Sequence, residues 1–351
     1  MVRVAVIGAG AWGTTFAALR CANGPTVLWA RRTALATEID RAHTNRAYLP
    51  GAVLTPALRA TADLAEAVHD VDAVAVAVPT HGFRAVLEAL AADLPPGVPV
   101  VSLAKGLEQG THKRMTEVVA EVLPGHPAGA LTGPNLASEI LADRPAASVL
   151  ALAEPATART LQAAFSTDGF RVYTNDDVIG CEVAGALKNV VAIAAGMADG
   201  MDLGDNARAA LVTRGLAELT RLAVALGGDP RTCAGLAGLG DLVATCSSTR
   251  SRNHQLGVEL GRGRTLAAIV AGRRSVIEGV GTAPVVCELG AELAVEVPIA
   301  DQTLAVCRGE RSPADALAAL MHRRPRSELH GLAPAEGPGA AHWSGEGGVG
   351  H

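Results

Sequence analysis

Several features that mark other classes of protein are scarce in this chain. Aromatic residues make up only 3% of its 351 residues, so the apolar fraction of 49% is carried largely by alanine and valine. The net charge is −5, which indicates no general affinity for nucleic acid or for an anionic membrane surface. The longest apolar runs, such as residues 73–79 and 190–195, are far below the ~20 residues that span a bilayer. No basic leader precedes the first apolar run, so we expect no secretion signal.

Cysteine is sparse and dispersed. No C-x-x-C pair occurs, so neither a zinc site nor a disulfide framework is indicated, and we expect a cytoplasmic protein in a reducing compartment. Asp199, Asp202 and Asp205 lie close together, but the glycines among them favour a turn, and we assign no metal. The six cysteines are Cys21, Cys181, Cys233, Cys246, Cys287 and Cys307.

Glycine, in contrast, is abundant, and one glycine-rich turn lies at the N-terminus. The apolar residues 4–7 lead directly into the sequence GAGAWG, and an alanine-rich helical segment follows. In this strand–turn–helix setting, G-x-G-x-x-G is typical of a dinucleotide-binding turn. Gly8 permits the tight turn, Gly10 lets a pyrophosphate approach the backbone, and Gly13 lets the helix pack on the strand. The helix N-terminus would hold the anion, although a plain βα turn is the alternative.

Apolar runs alternate with helical segments as far as residue 175. This pattern is typical of an α/β fold with a Rossmann-type, doubly wound, mostly parallel sheet, which we predict for residues 1–175. Long alanine-rich helical periodicity then predicts an all-helical domain at residues 176–328, and residues 329–351 are predicted to be disordered. The predicted strands are residues 4–7, 26–30, 71–78, 98–103, 147–152 and 170–173, and residues 131–137 are predicted to form another strand-to-helix turn. The predicted helices of the second domain are residues 178–200, 207–226, 255–261, 265–271, 284–294, 299–308 and 313–321.

The second predicted strand is followed by Arg31 and Arg32. In an NAD-preferring fold, an acidic residue at this point binds the ribose 2′-hydroxyl. Two guanidinium groups would instead pair with a 2′-phosphate, so we expect NADPH to be accepted. The alternative is two solvated arginines that open the next helix.

Two lysines and one aspartate are candidates for work on a substrate. Lys105 directly follows a predicted strand, at the edge where ligands bind, and could reach a phosphate or a substrate oxygen. Lys188 lies in a mostly apolar helix, so its charge should face a cleft or a partner, where it could exchange a proton with an alcohol or ketone. Asp241 lies in a small-residue turn and could either orient the ammonium group of Lys188 or bind a substrate hydroxyl. The alternatives are solvated lysines and an ordinary helix cap.

A polar, basic stretch, SSTRSRN at residues 247–253, leads into a predicted helix. Hydroxyl and amide donors, a guanidinium and a helix N-terminus together form an anion site, centred on Ser251, Arg252 and Asn253. A capped solvent loop is the alternative.

A set of motifs recurs in the order and spacing of one known family: residues 8–14 (GAGAWGT), 105–106 (KG), 133–137 (GPNLA), 182–189 (EVAGALKN), 213–215 (TRG), 235–241 (GLAGLGD) and 251–253 (SRN). On these motifs the chain resembles the bacterial NAD(P)-dependent sn-glycerol-3-phosphate dehydrogenase family from residue 1 to about residue 325. The resemblance implies an enzyme that interconverts dihydroxyacetone phosphate and sn-glycerol 3-phosphate with NADP(H) or NAD(H), without a metal, for phospholipid synthesis. It also implies a homodimer.

The resemblance assigns roles to individual residues. Lys188 matches the catalytic acid/base and Asp241 helps to hold it. Asn135 stands where many members have Ser or Thr, and Ala11 where Ser is common. The substrate-binding positions are Lys105, Gly133, Asn135, Lys188, Asp241, Ser251, Arg252 and Asn253. The cofactor-binding positions, including those of the glycine turn, are Gly8, Gly10, Ala11, Trp12, Gly13, Arg31, Arg32, Lys105, Ala137, Arg252, Val276 and Glu278.

Two other functions remain open at this point. A related reductase of another hydroxy acid would share the two-domain plan and the helix lysine, but the basic residues 251–253 favour a phosphorylated substrate. A non-catalytic NADP(H)-sensing module would bind the cofactor with Lys188 merely structural.

Overall fold

The computed structural model describes residues 1–271, 276–328 and 330 of the chain. Its N-terminal part contains an eight-stranded sheet. The strands are β1 (Val4–Ile7), β2 (Thr26–Trp29), β3 (Arg59–Thr61), β4 (Ala73–Val76), β5 (Val100–Ser102), β6 (Ala128–Thr132), β7 (Ala146–Leu152) and β8 (Phe170–Asn175). They lie in the order β3-β2-β1-β4-β5-β6-β7-β8, and every neighbouring pair is parallel except β6 and β7. The predicted mostly parallel sheet is confirmed.

Helices connect these strands and cover both faces of the sheet. They are α1 (Ala11–Arg20), α2 (Thr33–Thr37), α3 (Leu64–Val68), α4 (Phe83–Leu90), α5 (Met115–Val122), α6 (Ala137–Ile140) and α7 (Pro155–Phe165). On one face, the rings of Phe16 in α1 and Phe165 in α7 lie 5.0 Å apart within an apolar core. On the other face, Phe83 of α4 and Met115 of α5 belong to a second core. This is the doubly wound arrangement that the alternating pattern predicts.

The central strands are apolar throughout because both faces of the sheet are covered. All four residues of β1 and of β4 are buried, which explains why these strands read as continuous apolar runs. The sequence pattern does not predict β3. This edge strand has only three residues, of which Arg59 is exposed, and its pairing with β2 is what makes it a strand.

The C-terminal part is helical in its described residues. Its helices are α8 (Val178–Gly200), α9 (Gly204–Ala225), α10 (Pro230–Cys233), α11 (Asp241–Ser247), α12 (Arg252–Gly261), α13 (Leu266–Val270), α14 (Glu278–Glu292), α15 (Pro298–Cys307) and α16 (Pro313–Met321). Because β8 ends at Asn175 and α8 begins at Val178, we propose the domain boundary at residues 175/176. Apart from His330, the tail predicted to be disordered, residues 329–351, lies outside the described residues.

Helix α8 is the centre of the helical part. Every residue from Gly180 to Ala198 is buried. Glycines let α8 and α12 touch backbone to backbone: a Cβ at Gly196 would lie 2.1 Å from the carbonyl oxygen of His254, and a Cβ at Gly257 would lie 2.1 Å from that of Ile193. Close packing of two backbones leaves little freedom to shift either helix, so the residues that α8 and α12 carry are held in fixed relation.

Helix α8 is also long and apolar enough, by length and composition, to cross a membrane. The polar residues Glu182, Lys188 and Asn189 divide the helix into short apolar runs. A search of the sequence for uninterrupted apolar runs therefore does not find a segment of membrane-spanning length here. Within the protein, 89% of its apolar window is buried, as in a core helix.

Among the helices that begin earlier than the sequence predicts, two carry predicted site residues. Helix α12 begins at Arg252 rather than residue 255, because the Ser251 hydroxyl caps it by accepting a hydrogen bond from the backbone N–H of His254. Helix α14 begins at Glu278 and contains Pro284, the residue predicted to open it. Proline commonly marks a first helical turn, which is why the pattern misleads here. Both shifts place predicted site residues in the first turns of helices.

Candidate active site

The glycine turn has the geometry that its motif predicts. Gly8 has a φ of +117°, and a Cβ there would lie 2.9 Å from the carbonyl oxygen of Ala77. A Cβ at Gly13 would lie 2.0 Å from the carbonyl oxygen of Gly8, so the packing of the protein itself requires both glycines. Gly10 differs, because a Cβ there would meet no atom of the described residues within 4 Å. The space beside Gly10 is therefore open to a ligand.

The start of α1 suits a bound anion. Gly10 offers no side-chain cap, and the first turn from Ala11 contains no acidic residue, so its N–H groups are available. Nε1 of Trp12, at the second position of the helix, is buried and has no hydrogen-bond partner among the described residues. The backbone N–H groups fit the pyrophosphate end of a dinucleotide, which the sequence predicts here.

Arg31 and Arg32 follow β2 at the same edge of the sheet as the glycine turn. Both are exposed, and the guanidinium of Arg32 lies 5.8 Å from the ring centroid of Tyr48. Neither arginine forms an ion pair with a residue that the structure describes. Two exposed cations at this position are available to a 2′-phosphate.

Lys188 is held by two partners on α11. Its Nζ donates to Oδ1 of Asp241 at 2.8 Å and to Oγ1 of Thr245 at 2.6 Å, and Lys188 is only 5% exposed. The predicted contact between Lys188 and Asp241 is confirmed. An ammonium group has three N–H bonds, so one N–H of Lys188 is not used by the described residues.

Lys105 lies on the other side of the same carboxylate. Its Nζ donates to the carbonyl oxygen of Gly133 at 2.8 Å, to Oδ1 of Asn135, and to Oδ2 of Asp241 at 2.7 Å. All three N–H bonds of Lys105 are thus used within the protein, in contrast to Lys188. Nδ2 of Asn135 is buried and has no partner among the described residues.

The two lysines and Asp241 form a buried cluster with a net positive charge. Burial lowers the pKa of Lys105 to about 7; Asp241 opposes this shift and the charge of Lys188 adds to it. Burial also acts to raise the pKa of Asp241, but the two ammonium groups outweigh it and hold that pKa below its usual range. A cationic cluster of this kind is suited to stabilise a negative charge that develops on a substrate oxygen.

The start of α12 is connected to this cluster by side-chain amides. Nδ2 of Asn253 donates to Oδ1 of Asn189 at 2.8 Å, and Nδ2 of Asn189 donates to the backbone oxygen of Lys105 at 2.9 Å. Oδ1 of Asn253 accepts from the backbone N–H of Gly279 at 3.0 Å. Ser251, which caps α12 two positions before Asn253, is also buried.

The remaining predicted positions lie around Arg252 and the adjacent sheet edge. The exposed Arg252 donates from Nη1 to the carbonyl oxygen of Val276 at 2.6 Å. Oε2 of Glu278 accepts from Oγ1 of Thr80, beyond β4, at 3.2 Å, and burial raises the pKa of Glu278. Ala137 opens α6 at the same carboxyl edge. These contacts bring the start of α14 against the sheet.

Sequence reasoning missed two residues of the site. Thr245 lies four positions after Asp241, so both project from one face of α11, and this spacing was a readable signal. Asn189 follows Lys188 directly, but the residues it bonds to are distant in sequence. The one feature of the sequence that could have pointed to Asn189 is its place in the motif at residues 182–189.

All six cysteines are free in this structure. Across residues 1–271, 276–328 and 330, no group of three or more His, Cys, Asp and Glu side chains is placed to hold a metal ion. The candidate site therefore consists of the lysine cluster, the amides, the start of α12 and the glycine turn.

Comparison with known proteins identifies the family. The model for the NAD-dependent glycerol-3-phosphate dehydrogenase N-terminus matches residues 3–158, and the model for the C-terminus of the same family matches residues 177–318. A glycerol-3-phosphate dehydrogenase of Sphingopyxis alaskensis is 52% identical over 329 residues, which cover 94% of this chain and 99% of the relative. One from Thermobifida fusca is 49% identical over 336 residues, covering 95% and 100%.

A solved structure gives the same result. The crystal structure of glycerol-3-phosphate dehydrogenase from Coxiella burnetii matches with a TM-score of 0.88 and 35% identity, covering 92% of this chain and 99% of that one. Sequence and fold agree over both the sheet and the helical part, and the resemblance carried by the motifs is confirmed. This chain belongs to the NAD-dependent glycerol-3-phosphate dehydrogenase family.

Proposed function

We propose that this enzyme interconverts dihydroxyacetone phosphate and sn-glycerol 3-phosphate with NADPH or NADH. The observation that carries the proposal is that Asp241 and Thr245 hold Lys188 while one of its N–H bonds has no acceptor among the described residues, in a fold with a dinucleotide turn. Relatives that match nearly the whole chain carry this activity in their names. The product is the backbone from which phospholipids are made.

The catalytic role falls to Lys188. A bound nicotinamide supplies the hydride that reaches C2 of the ketone. Lys188 donates its remaining N–H to the carbonyl oxygen and gives up that proton as the alkoxide forms, so that hydride and proton together make the secondary alcohol. Lys188 is left neutral and regains a proton from solvent before the next turnover. Asp241 keeps the ammonium group of Lys188 directed at the substrate. The net positive charge of Lys105, Lys188 and Asp241 together stabilises the alkoxide.

Lys105 has a different role, because its three N–H bonds are used within the protein. We assign it to holding Asp241 and the turn at Gly133, with its charge acting on the substrate through space. The unpaired Nδ2 of Asn135 is then a donor for a substrate oxygen.

The phosphate of the substrate belongs at the start of α12. The guanidinium of Arg252 uses Nη1 on a backbone carbonyl. Its other N–H bonds have no acceptor in the part of the chain that the structure describes, and we assign them to a phosphate dianion. The hydroxyl of Ser251 and the second N–H of Asn253 lie in the same turn, where the helix dipole favours a negative charge.

Family membership also supports three finer proposals. Arg31 and Arg32 suit the 2′-phosphate, so we propose that NADPH is used at least as well as NADH. We propose that the enzyme is a homodimer and that it works in the cytoplasm. The burial of α8 within the protein agrees with this last proposal.

A spectrophotometric assay tests the function. The purified chain should oxidise NADPH only when dihydroxyacetone phosphate is present, and the same protein with Lys188→Ala should bind the cofactor without turnover. Comparison with unphosphorylated ketones and with other keto acids separates this function from reduction of another hydroxy acid. Tight cofactor binding without oxidation in the presence of any of these substrates would favour the sensing module instead.

A further inference from the structure

Two buried side-chain amides form a continuous hydrogen-bonded chain through the centre of the molecule. Asn253 is 8% exposed and Asn189 is 4% exposed. The backbone N–H of Gly279 donates to Asn253, Asn253 donates to Asn189, and Asn189 donates to the backbone oxygen of Lys105, at 3.0, 2.8 and 2.9 Å. Each amide accepts on one side and donates on the other, so their polarities align. We call this chain of hydrogen bonds, from Gly279 through Asn253 and Asn189 to Lys105, the amide relay.

The amide relay joins four elements that each carry part of the site. It begins on α14 next to Glu278, passes through α12 next to Arg252, crosses α8 next to Lys188, and ends on the loop that contains Lys105. The cofactor side, the phosphate side and the lysine cluster are thus connected by three hydrogen bonds. The last of these bonds crosses from the helical part to the edge of the sheet.

The relay has little room to move. A Cβ at Gly279 would lie 2.7 Å from the carbonyl oxygen of Asn189 and 2.8 Å from Oδ1 of Asn253. Because backbone and amides are in direct contact, a shift of α12 or α14 must be passed to Asn189, and through it to Lys105. Lys105 in turn holds the carboxylate of Asp241 that orients Lys188.

We propose that Asn189 is a positioning residue, which aligns the lysine cluster with the phosphate-binding end of α12 through Asn253 and the Lys105 carbonyl. The proposal rests on the proposed function. Asn189 does not contact the phosphate in this scheme, since both of its amide atoms face protein partners. Its loss should therefore slow the chemical step and leave recognition of the phosphate unchanged.

The first test is Asn189→Ala in the full-length enzyme. We expect kcat to fall by about 10- to 100-fold, because a small misplacement of reacting groups has an effect of this size. The ratio of kcat/KM for dihydroxyacetone phosphate to that for dihydroxyacetone should stay at the wild-type value. Asn175→Ala is the matched control: its amide also joins the two parts of the protein, by a 3.1 Å bond to Thr232, but it lies outside the relay, and its kcat should be unchanged.

A double-mutant cycle distinguishes a relay from two separate roles. If Asn189 and Asn253 act through each other, the combined Ala variant should be no slower than the slower single variant. The proposal would be overturned if the fold-decreases in kcat of the two single variants multiply in the combined variant. It would also be overturned if Asn189→Ala has a wild-type kcat or loses the preference for the phosphorylated ketone. If Asn189→Ala melts below the assay temperature, Asn189→Asp carries the same test, because it keeps the shape and loses the donor to Lys105. If the wild-type enzyme reduces neither dihydroxyacetone phosphate nor dihydroxyacetone, the proposed function itself is overturned. If the wild-type enzyme is active and the Asn189 variants have wild-type kcat, only the relay is overturned.

Discussion

The carboxylate of Asp241 bridges two buried ammonium groups, and its replacement by Asn should damage both stability and catalysis. Asp241 is 2% exposed, and its oxygens lie 2.8 Å from Nζ of Lys188 and 2.7 Å from Nζ of Lys105. For charge centres about 4 Å apart, each pair of charges is worth about 4 kcal/mol at an effective dielectric constant near 20, before the cost of desolvation. Removal of one member of a buried ion pair typically costs about 3–5 kcal/mol, and we expect Asp241→Asn to lower the free energy of unfolding by this amount at pH 7.

The dependence on pH follows from the direction of the shift. Because the pKa of Asp241 is held below its usual range, its stabilising contribution is complete above a pH of about 4 and is lost as the pH falls further. The difference in unfolding free energy between wild type and Asp241→Asn should therefore shrink in acid. In the assay, kcat should fall by about 10²-fold or more, because Lys188 loses the carboxylate that holds it. The decline of kcat at high pH should begin at lower pH, because Asp241 no longer acts to raise the pKa of Lys105.

Urea denaturation at several pH values and the NADPH assay measure these effects. Asp229→Asn is the matched control. Asp229 caps α10, a role that Asn fills equally well, and its ion pair is with the exposed Arg231, so this variant should keep wild-type kcat and lose at most about 1 kcal/mol of unfolding free energy. An Asp241→Asn enzyme with wild-type kcat, pH profile and unfolding free energy would refute the bridging role.

Four further predictions concern the other parts of the site. Lys188→Ala should lower kcat by about 10²–10⁴-fold while the Kd for NADPH, measured by fluorescence, stays unchanged; rapid turnover would remove Lys188 from the acid/base role. Arg252→Ala should raise KM for dihydroxyacetone phosphate by about 10- to 100-fold, the worth of a hydrogen bond to a charged group, and a normal KM would mean that the phosphate binds elsewhere. The combined Arg31→Ala and Arg32→Ala variant should lose about tenfold or more in kcat/KM with NADPH and little with NADH, and equal losses would argue against a 2′-phosphate contact. Gly196→Ala should lower the unfolding free energy by about 1–3 kcal/mol in urea, since its Cβ would lie 2.1 Å from the oxygen of His254, whereas unchanged stability would show that α8 and α12 can separate.

Local patterns were sufficient for most of the sheet and for the glycine turn. The residues of β1 and β4 are apolar because both faces are covered, so the pattern is present in the sequence itself. Edge strand β3 carries no such pattern, and the start of α14 is obscured by Pro284, a residue that usually opens helices. These errors lie where pairing or packing with a distant element decides the local structure.

The site shows the same division at the level of single residues. The sequence identifies Lys105, Lys188 and Asp241 as separate candidates and predicts that Asp241 meets Lys188. It does not distinguish the two lysines, because their difference lies in how many N–H bonds have partners: three for Lys105 and two for Lys188. That count depends on the carbonyl of Gly133 and on other atoms distant in sequence.

The fold class, the family, the dinucleotide turn and the candidate charged side chains can all be read from the amino-acid order, because each depends on residues that are neighbours in the chain or recur at fixed spacing. It takes the packed molecule to show that Gly10 faces a space open among the described residues, whereas packing requires Gly8 and Gly13. The packed molecule alone also shows that Asn189 connects Lys105 to α12. A hydrogen bond needs its two atoms within about 3 Å, and for residues far apart in the chain that distance is set by the packing of whole helices and strands.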